Sequence, residues 1–313
     1  MTAGLVLAMT VFAFGCGGNE GGNSKDNFIN IATGGTSGTY YPIGGAIADV
    51  LSKNAEGVSA GAQSTGASVA NINMIKDSQV DMAIVQNDIA YYAVNGTEMF
   101  DKKVENIRSI ASLYPETCQF VTLDDSEIHS IADLRGKRVA VGAAGSGVEC
   151  NVRQILKAYG MTYDDIDEQF LSFAEGASAL KDGMVDVACL TAGYPTVSVQ
   201  DIASQKKIRL IPLDNDKIST LIEEYPFYTK TSIPAGTYKE VDEDIQTVSV
   251  NAILITTDKM TDDTGYKITK TIFSSLDKIS SVHPAAKNIS KDTALNGIDF
   301  MTMNGGAQKF FKE

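Results

Sequence analysis

The sequence predicts an α/β protein built as two similar lobes. One short pattern occurs twice, each time behind a glycine-rich loop. Lys76-Asp77-Ser78-Gln79-Val80-Asp81-Met82-Ala83-Ile84-Val85 reads as a helix end running into a buried strand. Lys181-Asp182-Gly183-Met184-Val185-Asp186-Val187-Ala188-Cys189-Leu190 reads the same way. Upstream lie Gly34-Gly35-Thr36-Ser37-Gly38-Thr39-Tyr40-Tyr41-Pro42 and Gly142-Ala143-Ala144-Gly145-Ser146-Gly147-Val148-Glu149. Strand-like and helix-like segments alternate through both halves, as α/β lobes require. At 313 residues the chain is long enough for two such units with a sizeable core.

In the first unit, Phe28 to Thr33 is a strand entering the first glycine loop, and Ile43 to Lys53 a helix. Val58 to Gln63 is a strand. Ser64-Thr65-Gly66-Ala67-Ser68 is a small-residue turn that caps the next helix, where Val69, Ile72 and Ile75 share one face. Val80 to Val85 is nearly all apolar, as in a parallel strand covered on both sides. It ends in Gln86-Asn87-Asp88, at the carboxyl end where α/β sheets bind ligands. Ile107 to Leu113 is a further strand, ending in Tyr114-Pro115-Glu116-Thr117.

The second unit has strands at Gln119 to Leu123 and Val139 to Val141, then the second loop and a helix to Tyr159. Phe170 to Phe173 is a strand, Gly176 to Lys181 a helix, and Val185 to Leu190 a strand ending in Thr191-Ala192-Gly193-Tyr194-Pro195. A strand at Ile208 to Leu213 precedes an irregular stretch through Tyr238. Thr247 to Thr256 is long enough to cross between lobes, and helices at 262–280 complete the chain.

Each glycine loop presents bare backbone N–H groups at a helix start, which is a ready anion site. Two such sites facing each other make a clamp for a small acidic molecule. Glycine also simply relieves strain in tight strand-to-helix turns; the duplication favours the clamp. The candidate ligand contacts are Gly35, Thr36, Ser37, Thr39, Tyr40, Ser64, Thr65, Gln86 and Tyr114 from the first unit. The second supplies Gly145, Ser146, Gly147, Glu149, Thr191 and Gly193. Tyr40 or Tyr41 is placed to cover a carbon chain, or else packs in the core. Arg153, the arginine nearest a loop, is read as the i, i+4 partner of Glu149.

A net charge of −13 argues against nucleic-acid partners and against electrostatic adhesion to membranes. It leaves room for an anionic ligand, because a local nest of N–H groups outweighs a distant surface field. Neither glycine loop continues into Gly-Lys-Ser/Thr, the spacing of Gly142, Gly145 and Gly147 is wrong for a dinucleotide fingerprint, and no GxSxG occurs. His129 and His283 read as surface histidines, and Asp81 and Asp186 as turn residues rather than a catalytic pair. With two histidines and no CxxC, no metal site and no cofactor are expected. Cys118, Cys150 and Cys189 read as small core residues, their pairing left open.

Leu5 to Phe14 is a short apolar run, too short to span a bilayer. Followed by Gly15-Cys16 and a Gly/Asn tail, it resembles a bacterial lipoprotein signal, with Cys16 as the lipidated residue. It departs from that pattern in lacking a basic start and in having Ala13 three positions before the cysteine. The expected organisation is therefore a signal peptide at 1–15, a linker at 16–27, lobes at 28–115 and 116–256, and C-terminal helices at 257–313 returning to the first lobe.

An opening motif, Gly34 to Gly45, and seven more fall in the order seen in one family. The seven are Ser64-Thr65-Gly66, Val85-Gln86, Ser112 to Glu116, Asp133 to Val139, Gly145-Ser146-Gly147-x-Glu149, Ala192-Gly193-x-Pro195 and Ile233 to Tyr238. In these, residues 28–280 resemble the TAXI type of extracytoplasmic solute receptor from TRAP transporters. Ala67 stands where that family usually has glycine, and Val148 where it usually has threonine. The resemblance implies a type II periplasmic-binding-protein fold, with a ligand cleft between two lobes. It implies a small organic anion as ligand, a glutamate-like amino acid or a dicarboxylate, bound without reliance on an arginine. It implies delivery to an ion-gradient-driven TRAP permease outside the cytoplasm, and no enzymatic step. A ligand-sensing module for a signalling partner, or an enzyme on the same scaffold, are the alternatives.

Overall fold

The computed structural model describes residues 27–313. The signal segment, Cys16 and nearly all of the linker lie outside the described residues. The first unit runs β1 (Asn27–Ala32), α1 (Tyr40–Asn54), β2 (Val58–Gln63), α2 (Ser68–Lys76), β3 (Met82–Gln86) and α3 (Asn87–Asn95). After β4 (Ile107–Leu123), the second unit runs β5 (Arg138–Ala140), α4 (Gly147–Ala158), β6 (Asp167–Gln169), α5 (Phe173–Lys181), β7 (Val187–Ala192) and α6 (Val197–Gln205). Then follow β8 (Ile208–Leu210), α7 (Asn215–Glu224), β9 (Thr229–Ile233), β10 (Ile245–Thr257), α8 (Asp262–Phe273), α9 (Leu276–Ser280) and α10 (Gly305–Lys312).

The two units are built alike. β1 lies between β2 and β3, and β5 between β6 and β7, all parallel. The repeated aspartates do the same job in each. Asp81 Oδ2 accepts from Asn30 N at 2.8 Å while Asp81 N donates to Asn30 O; Asp186 and Arg138 repeat both bonds. Each carboxylate thereby fixes the register of a strand start on its neighbour, which is a structural role.

Two long antiparallel strands join the units. The sheet order is β2-β1-β3-β10-β4-β7-β5-β6. β10 pairs with β3 through 252–256 and with β9 through 245–249, and β4 pairs with β7 from Thr117 onward. The sequence reading broke β4 at Tyr114-Pro115. The strand instead continues through the proline to Leu123. Pro115 has no N–H for the ladder, and it is exposed opposite Asn251, beside a register shift at Ala252/Ile253 in β10. The expected lobe boundary at 115/116 therefore falls inside one strand.

Burial follows period. α1 turns Ile43, Ile47, Val50 and Leu51 inward at helical spacing, and all five residues of β3 are buried under helices on both faces. α8 packs on α1 and α10 packs on α8, with Phe273 tilted against Phe310 at 5.7 Å. Several expectations need correction. The stretch between β8 and Tyr238 holds α7 and β9, the Phe170–Phe173 strand is displaced to 167–169, and Phe173 opens α5. His283 is only 6% exposed, its Nδ1 accepting from Ala285 N, and burial lowers its pKa. His129 is exposed. The three cysteines are free and buried.

Ala67 carries the clearest strain. Its φ of 72° and ψ of −147° lie near a region populated essentially by glycine. Replacing it with glycine removes about 1–3 kcal/mol of strain and returns about 0.5–1 kcal/mol of unfolded-chain freedom. Ala67→Gly is expected to raise the melting temperature by roughly 2–6 °C. A lower melting temperature would show that the position is not strained.

Candidate functional site

Four helices begin at one cavity. Thr39 and Tyr40 open α1, Ala67 and Ser68 open α2, Ser146 and Gly147 open α4, and Ser172 and Phe173 open α5; all eight residues line it. Two of these helices belong to each lobe. The first N–H groups of a helix have no intrahelical acceptor, and each start carries roughly half a positive charge. No lysine, arginine or histidine is among the lining residues. Phe173, Val148, Ala143 and Ala192 give it an apolar wall. The cavity measures about 80 Å³. At about 10–15 Å³ per water, that is room for a small organic molecule rather than for a single water.

The helix starts are not equivalent. Ser146 Oγ caps α4 by accepting from Glu149 N, and Ser172 with Glu175 forms a capping box on α5. α1 and α2 have no side-chain cap. The second lobe caps α2 instead, since Gly145 O accepts from Val69 N at 3.1 Å and Ala70 N at 3.2 Å. Pro42 has no N–H at the third position of α1, so α1, α4 and α5 each keep two first-turn N–H groups for a ligand and α2 keeps one.

Of the expected contacts, Gly35, Thr39, Tyr40, Thr65, Gln86, Ser146, Gly147 and Thr191 line the cavity. Thr36 is exposed and Ser37 half-buried outside it. Ser64 Oγ donates to Gly34 O, holding the first loop from outside. Gly145 acts on α2. Glu149 is held by Arg153 Nε at 2.7 Å and by Tyr163 Oη at 2.9 Å, away from the cavity. Gly193 O accepts from Thr39 Oγ1 at 3.1 Å, a contact between lobes. Tyr114 is buried on β4, and its hydroxyl finds no hydrogen-bond partner among the described residues.

Glu116 is the main residue that sequence reasoning missed. It lines the cavity and is 2% exposed, and its Oε2 accepts from Tyr40 Oη at 2.7 Å. Burial pushes its carboxyl well above the usual range; the Tyr40 hydrogen bond opposes this and the nearby Asp88 adds to it. Placed after a proline, Glu116 read as part of a turn; its signal lies in β4 continuing past Pro115. Ser68 and Phe173 were likewise absent from the expected set.

A buried polar network closes the interface behind the cavity. Gln86 Nε2 donates to Asn151 Oδ1 at 2.9 Å, and Asn151 Nδ2 donates to Asp88 Oδ2 and Tyr228 Oη at 2.9 and 2.8 Å. Tyr228 Oη donates to Gln154 Oε1, and Gln154 Nε2 donates to Tyr92 Oη. Asn151 uses its amide N–H groups on Asp88 and Tyr228, so its oxygen is what remains for Gln86. That turns Gln86 Oε1 toward Gly147, where it has no hydrogen-bond partner among the described residues. A Cβ on Gly147 would sit 1.5 Å from that oxygen, so only glycine permits this approach.

Residues 31–313 match the NMT1-like family. The chain belongs to that family. Among solved structures it is similar to a protein from Bordetella bronchiseptica RB50, with a TM-score of 0.56 at 16% identity over 84% of this chain and 77% of that one. A putative L-cystine ABC transporter protein from Listeria monocytogenes gives a TM-score of 0.52 at 15% identity, over 85% of this chain and 99% of that one. A Streptococcus mutans protein studied in glutathione import gives 0.53 at 12% identity, over 85% and 96%. These likenesses show the fold of the NMT1-like chain, a mixed α/β fold of the type II periplasmic-binding-protein class.

Proposed function

We propose that this NMT1-like protein is an extracytoplasmic solute receptor that closes on a small organic anion, a glutamate-like amino acid or a dicarboxylate. One observation carries the reading: two helix starts from each lobe meet at a single cavity with no cationic side chain among its lining residues. Ligand bridging the lobes would shift the population from open to closed, because only the closed form offers all four helix starts. The motif resemblance supports a receptor of the TAXI type, anchored through Cys16 and serving a TRAP permease. The Listeria and Streptococcus neighbours are named for ABC importers, which supports the second reading, an ATP-driven permease as partner. Solute uptake that follows an imposed ion gradient in ATP-free vesicles separates the two.

The receptor reading is tested by a thermal-shift screen of amino acids and C4–C6 dicarboxylates. A ligand at 100 times its Kd stabilises by about 2.7 kcal/mol. The bound protein is expected to be more compact by small-angle scattering. Arg153, paired with Glu149 at 2.7 Å and Glu98 at 3.7 Å, lies outside the cavity. Arg153→Ala is expected to keep the affinity within about twofold, because this half-buried pair contributes nothing to the cavity lining. Abolished binding in that variant, or unchanged scattering on tight binding, would refute the clamp.

A further inference from the structure

The geometry points to Glu116 as the group that selects a ligand carrying an ammonium, so that the solute is an amino acid rather than its deaminated counterpart. This rests on the receptor reading above and narrows it.

The cavity presents two kinds of polar group. The helix starts offer N–H donors, which suit a carboxylate. Against them stands one buried acid with capacity to spare. Glu116 lines the cavity, and among the described residues its carboxyl receives one hydrogen bond, from Tyr40 Oη. Tyr40 is held in place in turn, its Oη 3.4 Å from Ser68 Oγ. A buried acceptor with too few donors is costly, and a buried carboxylate without a counter-charge more so. A ligand N–H₃⁺ meets both needs. Its carboxylate goes to the helix starts and its ammonium to Glu116. A diacid offers no such donor. It would require Glu116 to stay protonated and to donate to the ligand.

The free protein holds Glu116 in a desolvated place that favours the neutral form. When an ammonium arrives, the carboxyl gives its proton to solvent and keeps the charge. No proton leaves when a diacid binds beside a neutral Glu116.

The experiment is calorimetry on the full chain with matched pairs: L-glutamate and glutarate, L-aspartate and succinate, L-leucine and 4-methylpentanoate. The amino member of the preferred pair is expected to bind at least about tenfold tighter. Glu116→Gln should abolish that preference by weakening the amino member alone, because an amide still accepts from Tyr40 but cannot neutralise an ammonium. Repeating the wild-type titration in buffers of different ionisation enthalpy should show more proton release with the amino member. Closure is common to both ligands, so the difference isolates Glu116, and this arm holds even if the variant does not fold. Equal or tighter binding of the deaminated member, equal proton release, or an equal loss for both in Glu116→Gln overturns the assignment and leaves the receptor reading standing. Binding of neither member of any pair overturns both.

Discussion

Gly193→Ala is expected to hold the lobes apart. A Cβ at this position would lie 2.4 Å from Ala285 Cβ, 3.2 Å from Thr39 Cγ2 and 3.4 Å from Tyr114 Cε2. None of these can swing away, since Ala285 is a buried methyl and Thr39 is tied to Gly193 O. Gly193 follows β7 in the second lobe, whereas Thr39, Tyr114 and Ala285 pack with the first. The overlap therefore burdens only the closed form, and opening relieves it. Overpacking of this kind costs about 1–3 kcal/mol, or roughly a 5- to 150-fold loss of affinity. The scattering radius with ligand should stay near that of the free protein. The melting temperature without ligand should hardly move. A large fall in melting temperature with affinity retained would mean that the contact is internal packing and not a closure contact.

The contrast between Asp81 and Glu116 shows what was legible in the chain. Asp81 lies in a repeat, and its partner strand is set by the α/β pattern around it, so its place in a helix-to-strand turn could be read locally. The glycine loops and Gln86 were legible for the same reason: strand ends and helix starts have local signatures. Glu116 has none. Its neighbours Tyr114 and Pro115 read as a strand end, and only the pairing of β4 with β10 carries the strand through. Gly193 shows the same limit from the other side. Its glycine is required by Ala285, and its carbonyl meets a threonine 154 residues away. Such contacts form only when two lobes meet, and no short window of sequence encodes them. Gly145 read as a ligand contact; it has φ at +78°, lies outside the cavity lining and turns its carbonyl to α2.

Asp88→Asn is expected to flatten the fall in stability between pH 5 and pH 8. Asp88 is fully buried, and burial raises its carboxyl from 3.8 to about 7, against the hydrogen bond from Asn151. Between those values the folded protein holds a proton that the unfolded chain has lost. Stability from this group is therefore complete below about pH 4 and declines as pH rises to about 7, where the charge must finally be buried. From pH 5 upward the decline is about 2–3 kcal/mol, or several degrees of melting temperature. The groups around it, Tyr92, Tyr228, Cys118 and Cys150, all have pKa values raised by burial and stay neutral through this range. Glu116 is the exception; its own raised pKa adds a slope of the same sign that the variant retains. Asparagine offers Asn151 the same acceptor and never charges, so the variant should gain most at pH 8 and less at pH 5. An unchanged slope would sink the assignment. The same proton bears on closure, since Asp88 reaches Asn151 only across the lobe interface. If opening lets water reach the carboxyl, its pKa falls back toward the ordinary value, so closing takes up a proton near neutral pH and acid favours the closed form.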